Sequence, residues 1–78
     1  MARFHVMVKR DASTVVLEQD VQSQNVAHAA ACGLSLAGGG YADVIMVQVL
    51  RPAPGRPASV TFSGCSQGVY GFCFSSRL

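Results

Sequence analysis

The residues able to do chemistry in this chain fall into four small groups. Gly38, Gly39 and Gly40 form a triplet in the stretch "AGGGYADV". Glycine-rich loops cradle phosphates when they run from a strand into a helix, so that the helix N-terminus faces the anion. Here the expected order is reversed, helix to strand, and no Lys-Ser or Lys-Thr pair follows. Gly38 falls instead where a left-handed helix cap belongs. His28 and Cys32 stand four apart and share a helix face. That is the beginning of a metal site or of a thiolate–imidazole pair. A structural zinc needs four protein ligands and a catalytic zinc three plus water. Cys65 and Cys73, with seven residues between them, do not complete either set, and they do not lie opposite each other for a disulfide. No metal and no cofactor is expected, and the cysteines read as small buried hydrophobes. His5 and Glu18 could form an acid–base pair, but the outer face of a small sheet offers no pocket, so they read as a solvated cross-strand pair. Arg51 and Arg56 flank the proline loop "PAPGRP". They could clamp a phosphate or an acidic protein surface, because a stiff loop lowers the ordering cost of binding. No convergent polar constellation suggests an enzyme.

Positioning these groups requires elements, and periodicity supplies them. Phe4, Val6 and Val8 alternate with His5, Met7 and Lys9, a half-buried strand. Arg10–Ser13 reads as a four-residue turn. A second strand follows, ending near Val21, in which Val15 and Leu17 alternate with Thr14, Val16 and Glu18. That loop places Lys9 opposite Thr14, Val8 opposite Val15, Val6 opposite Leu17, His5 opposite Glu18 and Arg3 opposite Asp20. Ser23 is placed as the N-cap of an alanine-rich helix on which Val26, Ala30, Gly33 and Ala37 share a face. Gly33 inside that helix suggests a close backbone approach. "YADVIMVQVLR" reads as a third strand with Ile45, Val47 and Val49 on one face and Val44, Met46 and Leu50 on the other. Pro52, Pro54 and Pro57 end it. The last portion reads as two more strands, around Val60 and Phe62 and around Tyr70, Phe72 and Phe74. An odd loop containing Gly64 and Gly68 would put all five of these apolar residues on one face, and it is the favoured arrangement. The fold class is α+β. The coarse order is ββαββ, an antiparallel sheet of four or five strands with one helix packed on one face, in a single domain.

Composition narrows the function. Of 78 residues, 50% are hydrophobic and 13% charged, with a net charge of +2. This favours a folded domain over a disordered tail. It lacks the basic surface of a dedicated nucleic-acid binder and is not an acidic mimic of nucleic acid. The opening "MARFHVMVKRD" has no continuous apolar stretch, so no signal peptide is expected, and the longest apolar run is broken at Gln48, so no membrane segment is expected either. Three cysteines and no export signal suggest reduced thiols and a cytoplasmic location. With one helix to cover two sheet faces, the face carrying Met7, Val16, Val44, Met46 and Leu50 is left for contact with something else.

The strand "RFHVMVKRD", the strand "STVVLEQDV", the Ser-started alanine-rich helix and the strands after it resemble, in architecture, many small phage- and mobile-element-encoded proteins. Anti-CRISPR proteins are among them. The resemblance implies a cytoplasmic, non-enzymatic inhibitor that binds a protein partner such as a CRISPR–Cas effector subunit. It would act by steric occlusion. The expected contacts are Arg51 and Arg56 on the loop, with His5, Met7, Met46 and Leu50 on the open face. Two other readings stand beside it. One is a single-stranded nucleic-acid module stacking bases on Tyr70, Phe72 and Phe74, against which the low basicity argues. The other is a self-associating assembly protein, with a homodimer through the open face.

Overall fold

The computed structural model describes residues 2–55, 58–68 and 71–75, the backbone alone for 67–68 and 71–75. Five strands and one helix follow one another as β1 (Ala2–Asp11), β2 (Thr14–Ser23), α1 (Val26–Leu36), β3 (Gly40–Val49), β4 (Ser59–Gly68) and β5 (Gly71–Ser75). The strands form one sheet in the order β2-β1-β3-β4-β5, and every neighbouring pair is antiparallel. This is the expected α+β arrangement, with five strands. No helix among the described residues is long and apolar enough to cross a membrane.

The topology dictates where the helix lies. β2 and β3 both pair with β1, from opposite sides. The chain therefore leaves β2, crosses above β1 as α1, and returns as β3. The helix packs through Ala29, Ala30, Gly33 and Leu34, all buried. They meet Phe4, Val6 and Val8 of β1, Ala42, Ile45 and Val47 of β3, and Phe62 and Cys65 of β4 in one core. The small helical side chains bring the helix close. A Cβ on Gly33 would sit 2.4 Å from Val6 Cγ1 and 3.4 Å from Val8 Cγ2. Gly33 is thus required by the Val6 side chain of β1, with Val8 in ordinary contact, rather than by an approaching backbone. Valine is stiff at χ1, so the contact cannot be relieved by a rotamer change at little cost.

The first hairpin corrects the sequence reading. Its turn is the two residues Ala12 and Ser13, with Asp11 opposite Thr14, and Arg10 belongs to β1. Asp11 Oδ1 accepts from the Ser13 N–H at 3.0 Å and from the Ser13 hydroxyl at 3.1 Å. This side-chain bond to the backbone two residues on holds a tight turn. Two register shifts, one on either side of Lys9, then carry the pairing to Val8–Leu17, Val6–Gln19, His5–Asp20 and Arg3–Gln22. Relative to the four-residue loop, the register has slipped by two. A slip of two keeps each of these residues on its face, so the core composition of β1 survives. Val15, expected to face Val8, instead lies opposite Lys9 and is 48% exposed.

The helix ends are also specific. The N-cap is Asn25, whose side chain accepts from the His28 N–H at 2.8 Å. Ser23 is the last residue of β2 and fully buried. At the other end Gly38 donates to the Ser35 carbonyl at 3.0 Å and Gly39 to the Leu34 carbonyl at 2.8 Å, which is the Schellman motif. All three glycines take positive φ, at 102°, 73° and 81°. Arg10 closes the turn from outside. Its guanidinium donates to the Ala37 carbonyl at 2.8 Å and to the Tyr41 carbonyl. The amides of Gly38 and Gly39 are committed to helix carbonyls, so they cannot cradle an anion.

β4 runs on to Gly68 and pairs there with Gly71. The segment Gly64–Gly68, expected as a loop, is strand. Gly64 does take an unusual dihedral (φ 61°), but within β4. There the register against β3 is unchanged from Ala42–Cys65 to Val44–Ser63, the pairing with β5 shifts between Ser63 and Ser66, and the buried positions change from Ala42 and Cys65 to Ile45 and Phe62. Tyr70 and the side chains of Phe72 and Phe74 lie outside the described residues, and so does the question of which face they occupy. Cys73 pairs with Ser66, and Cys65 is a buried free thiol.

Candidate partner-binding face

The helix covers one side of the sheet. The other side is built from residues that alternate with the core. β1 contributes Arg3, His5, Met7 and Lys9, and β3 contributes Val44, Met46 and Gln48. Their opposing positions follow from the register: His5–Gln48, Met7–Met46 and Lys9–Val44. Continuing outward, Asp20 lies opposite His5 and Glu18 opposite Met7. On β4, Ser59 lies opposite Gln48, Thr61 opposite Met46 and Ser63 opposite Val44. The face therefore has a methionine pair at its centre. Val44 lies beside it, acidic and imidazole groups stand towards β2, and hydroxyls stand towards β4. Met46 is 39% exposed, and Met7 and Val44 are half-buried.

The expected contact residues divide into two places. His5, Met7 and Met46 do come together at the middle of this face. Leu50 and Arg51 sit at its end, past the last residue of β3. There they line an open cavity of about 500 Å³ with Ala2, Arg3, Gln22 and Val49. The Leu50 N–H donates to the Arg3 carbonyl at 3.3 Å, which ties this end to β1. Both are exposed. Arg56 lies outside the described residues. Arg3 and Gln22, which line the same cavity, were missed by the sequence reading. No sequence signal pointed to this pair, since only the slipped register places them opposite one another.

His5 is the most constrained group on the face. Its Nε2 lies 2.9 Å from Glu18 Oε2 and its Nδ1 lies 2.7 Å from Asp20 Oδ1. The expected His5–Glu18 pair is thus made diagonally, and Asp20, expected to face Arg3, takes the second ring nitrogen. Hydrogen bonding to Glu18, and then to Asp20, raises the His5 pKa above its ordinary 6.5.

A second cluster lies on the helix side, at the edge of the sheet. His28 Nδ1 stands 2.5 Å from the Ser23 hydroxyl oxygen and 3.7 Å from Cys32 Sγ. Val21, Gln22, Ala31, Ser35 and Leu36 complete a shallow groove around the histidine and the thiol. Cys32 is a free thiol. His28 and Cys32 do share a helix face, Cys32 is half-buried where a buried hydrophobe was expected, and Ser23, read as a helix cap, is the third member. Among the described residues, no group of three or more histidine, cysteine or acidic side chains could hold a metal ion.

No protein-family model, curated protein or solved structure matches this chain.

Proposed function

We propose that this chain is a non-enzymatic protein-binding domain of the inhibitor kind, and that its helix-free sheet face is the contact surface. The observation that carries the reading is the distribution of residues on that face. An apolar centre of Met7, Met46 and Val44 is surrounded by polar and charged groups. Protein interfaces have this anatomy, with methionine enriched in an apolar core and a polar rim around it. The molecule measures 34 × 23 × 21 Å, so one broad side offers about the 800 Å² per partner of a standard contact. Glu18 and Asp20 flank the methionine pair on the β2 side, which suits a folded partner that presents an apolar anchor beside a basic group. Arg51 extends the surface at one end. In the phage-inhibitor resemblance such a domain would occlude a defence effector sterically.

The test is affinity capture with a C-terminally tagged chain from bacterial lysate, with and without nuclease, and mass-spectrometric identification of what is retained. Met7→Asp and Met46→Asp are run in parallel. The reading requires a stoichiometric protein that survives nuclease and is lost with either aspartate while the variants remain folded. Retention that disappears with nuclease would replace the reading with nucleic-acid binding. Retention indifferent to both aspartates would remove the face from the account. Recovery of the chain alone as a fixed oligomer would favour self-association.

A further inference from the structure

We infer that His5, clamped between Glu18 and Asp20, is a proton-operated latch on the open sheet face: protonated, it ties both β2 carboxylates to β1, and deprotonated, it releases one of them. The consequence for a partner rests on the reading of this face as a binding surface, while the latch itself is a property of the isolated chain.

The argument starts from hydrogen-bond inventory. An ionised carboxylate only accepts. His5 meets one carboxylate oxygen at each ring nitrogen, at 2.9 and 2.7 Å. Both contacts are satisfied together only when both nitrogens carry hydrogen, that is, as imidazolium. The three groups then sum to one negative charge. A neutral imidazole keeps a single N–H. Its other nitrogen turns a lone pair towards a carboxylate oxygen, and that carboxylate gains by swinging into water. The cluster then carries two negative charges and one free carboxylate.

The surroundings leave this exchange to the three residues. On β1 the other charged members of the face are Arg3, placed opposite Gln22, and Lys9, placed opposite Val15. On β3 the residues of this face are Val44, Met46 and Gln48, none of which titrates, and Gln48 is the one opposite His5. α1 packs on the other side of the sheet. The two carboxylates also come from one strand, β2, which is an edge of the sheet. The latch therefore fastens an edge strand to its neighbour. Because the His5 pKa is raised in the fold, its contribution is fully present below the ordinary 6.5 and is lost as pH rises through the raised value. Above that value the face offers its free carboxylate to a cationic group of a partner.

The experiment needs no partner. Long-range ¹H–¹⁵N spectra of the His5 ring, recorded across pH, report the state of both nitrogens, and carboxyl ¹³C shifts report Glu18 and Asp20. The expected result is an imidazolium at pH 6.5, a midpoint above it, and carboxyl shifts of Glu18 or Asp20 that follow the same midpoint. Glu18→Gln and Asp20→Asn, which keep shape and remove charge, should each lower the midpoint. The double variant should return it to the value of an unstructured histidine peptide. A His5 ring already neutral at pH 6.5, or a midpoint unmoved by the double variant, would overturn the latch. Partner capture at one fixed pH is scored separately with Met7→Asp, so loss of the face reading and loss of the latch give different results.

Discussion

The two sides of this sheet are made from the same strands and obey opposite rules. On the helix side, Val6, Val8, Ile45 and Val47 are fully buried, and their shapes fix how close α1 can come. On the open side, the alternate residues of the same strands are methionine, valine, glutamine, lysine, arginine and histidine, half-buried or exposed. The two histidines repeat the contrast. His28, in the helix, takes a hydroxyl and a thiol as neighbours, and a hydroxyl can donate or accept, so the contact suits either tautomer. His5, on the open side, takes two carboxylates, which only accept. One side is specified by volume and the other by charge, and substitutions should sort accordingly.

The largest expected effect tests volume against charge on adjacent residues. Ile45→Ala removes a fully buried side chain and should lower stability by about 2–5 kcal/mol. Met46→Ala, one residue along and pointing to the open side, should change stability by less than about 0.5 kcal/mol, as surface substitutions do. Denaturant melts of the two variants make the comparison. Similar losses at both positions would mean that the open side is packed in the free chain, and the contrast would collapse.

Gly33→Ala comes next. Helix propensity alone would favour alanine by roughly 1 kcal/mol. The new Cβ would fall 2.4 Å from Val6 Cγ1, and overpacking of this kind costs about 1–3 kcal/mol. The clash should prevail, giving a net loss. In a Val6→Ala background the room is restored, so the same Gly33→Ala change should become neutral or stabilising. A double-mutant cycle reads that coupling directly, and additive effects would show that the helix does not sit on β1 in this way.

Those positions also mark what was legible beforehand. The strands' faces, the helix and its glycine end could be read because alternation, small-residue spacing and a terminal glycine are local patterns. Hairpin register was not legible in this way, because a slip of two leaves the faces of β1 unchanged. The turn decides the register, and Asp11 decides the turn by bonding Ser13. Gly64 misled for a related reason. A glycine with positive φ is as much at home in a bulge as in a loop, and only the pairing of β4 with β5, which shifts between Ser63 and Ser66, distinguishes the two. Of the candidate site, His5, Met7 and Met46 could be grouped from alternation alone. Asp20 at His5 and Ser23 at His28 could not, because both depend on where β2 stops sliding.

The smallest expected effect returns to that turn. The Asp11 pKa is lowered, first by the Ser13 backbone N–H, then by the Thr14 and Ser13 side chains. A lowered carboxylate contributes stability above its ordinary 3.8 and loses it as pH falls through the lower folded value. Asp11 is on the surface and screened by water and salt, so Asp11→Ala should reduce the melting temperature less than Gly33→Ala does. It should also flatten the acid limb of a melting-temperature profile below pH 3.8, where the other carboxylates keep their own slopes. Asp11→Asn separates charge from turn geometry, since asparagine can make the same bond to Ser13 without titrating. If Asp11→Asn keeps the wild-type melting temperature at neutral pH and loses only the acid slope, the side-chain bond sets the turn. If it melts like Asp11→Ala, the carboxylate charge sets it, and the register of the whole β1–β2 hairpin depends on that charge.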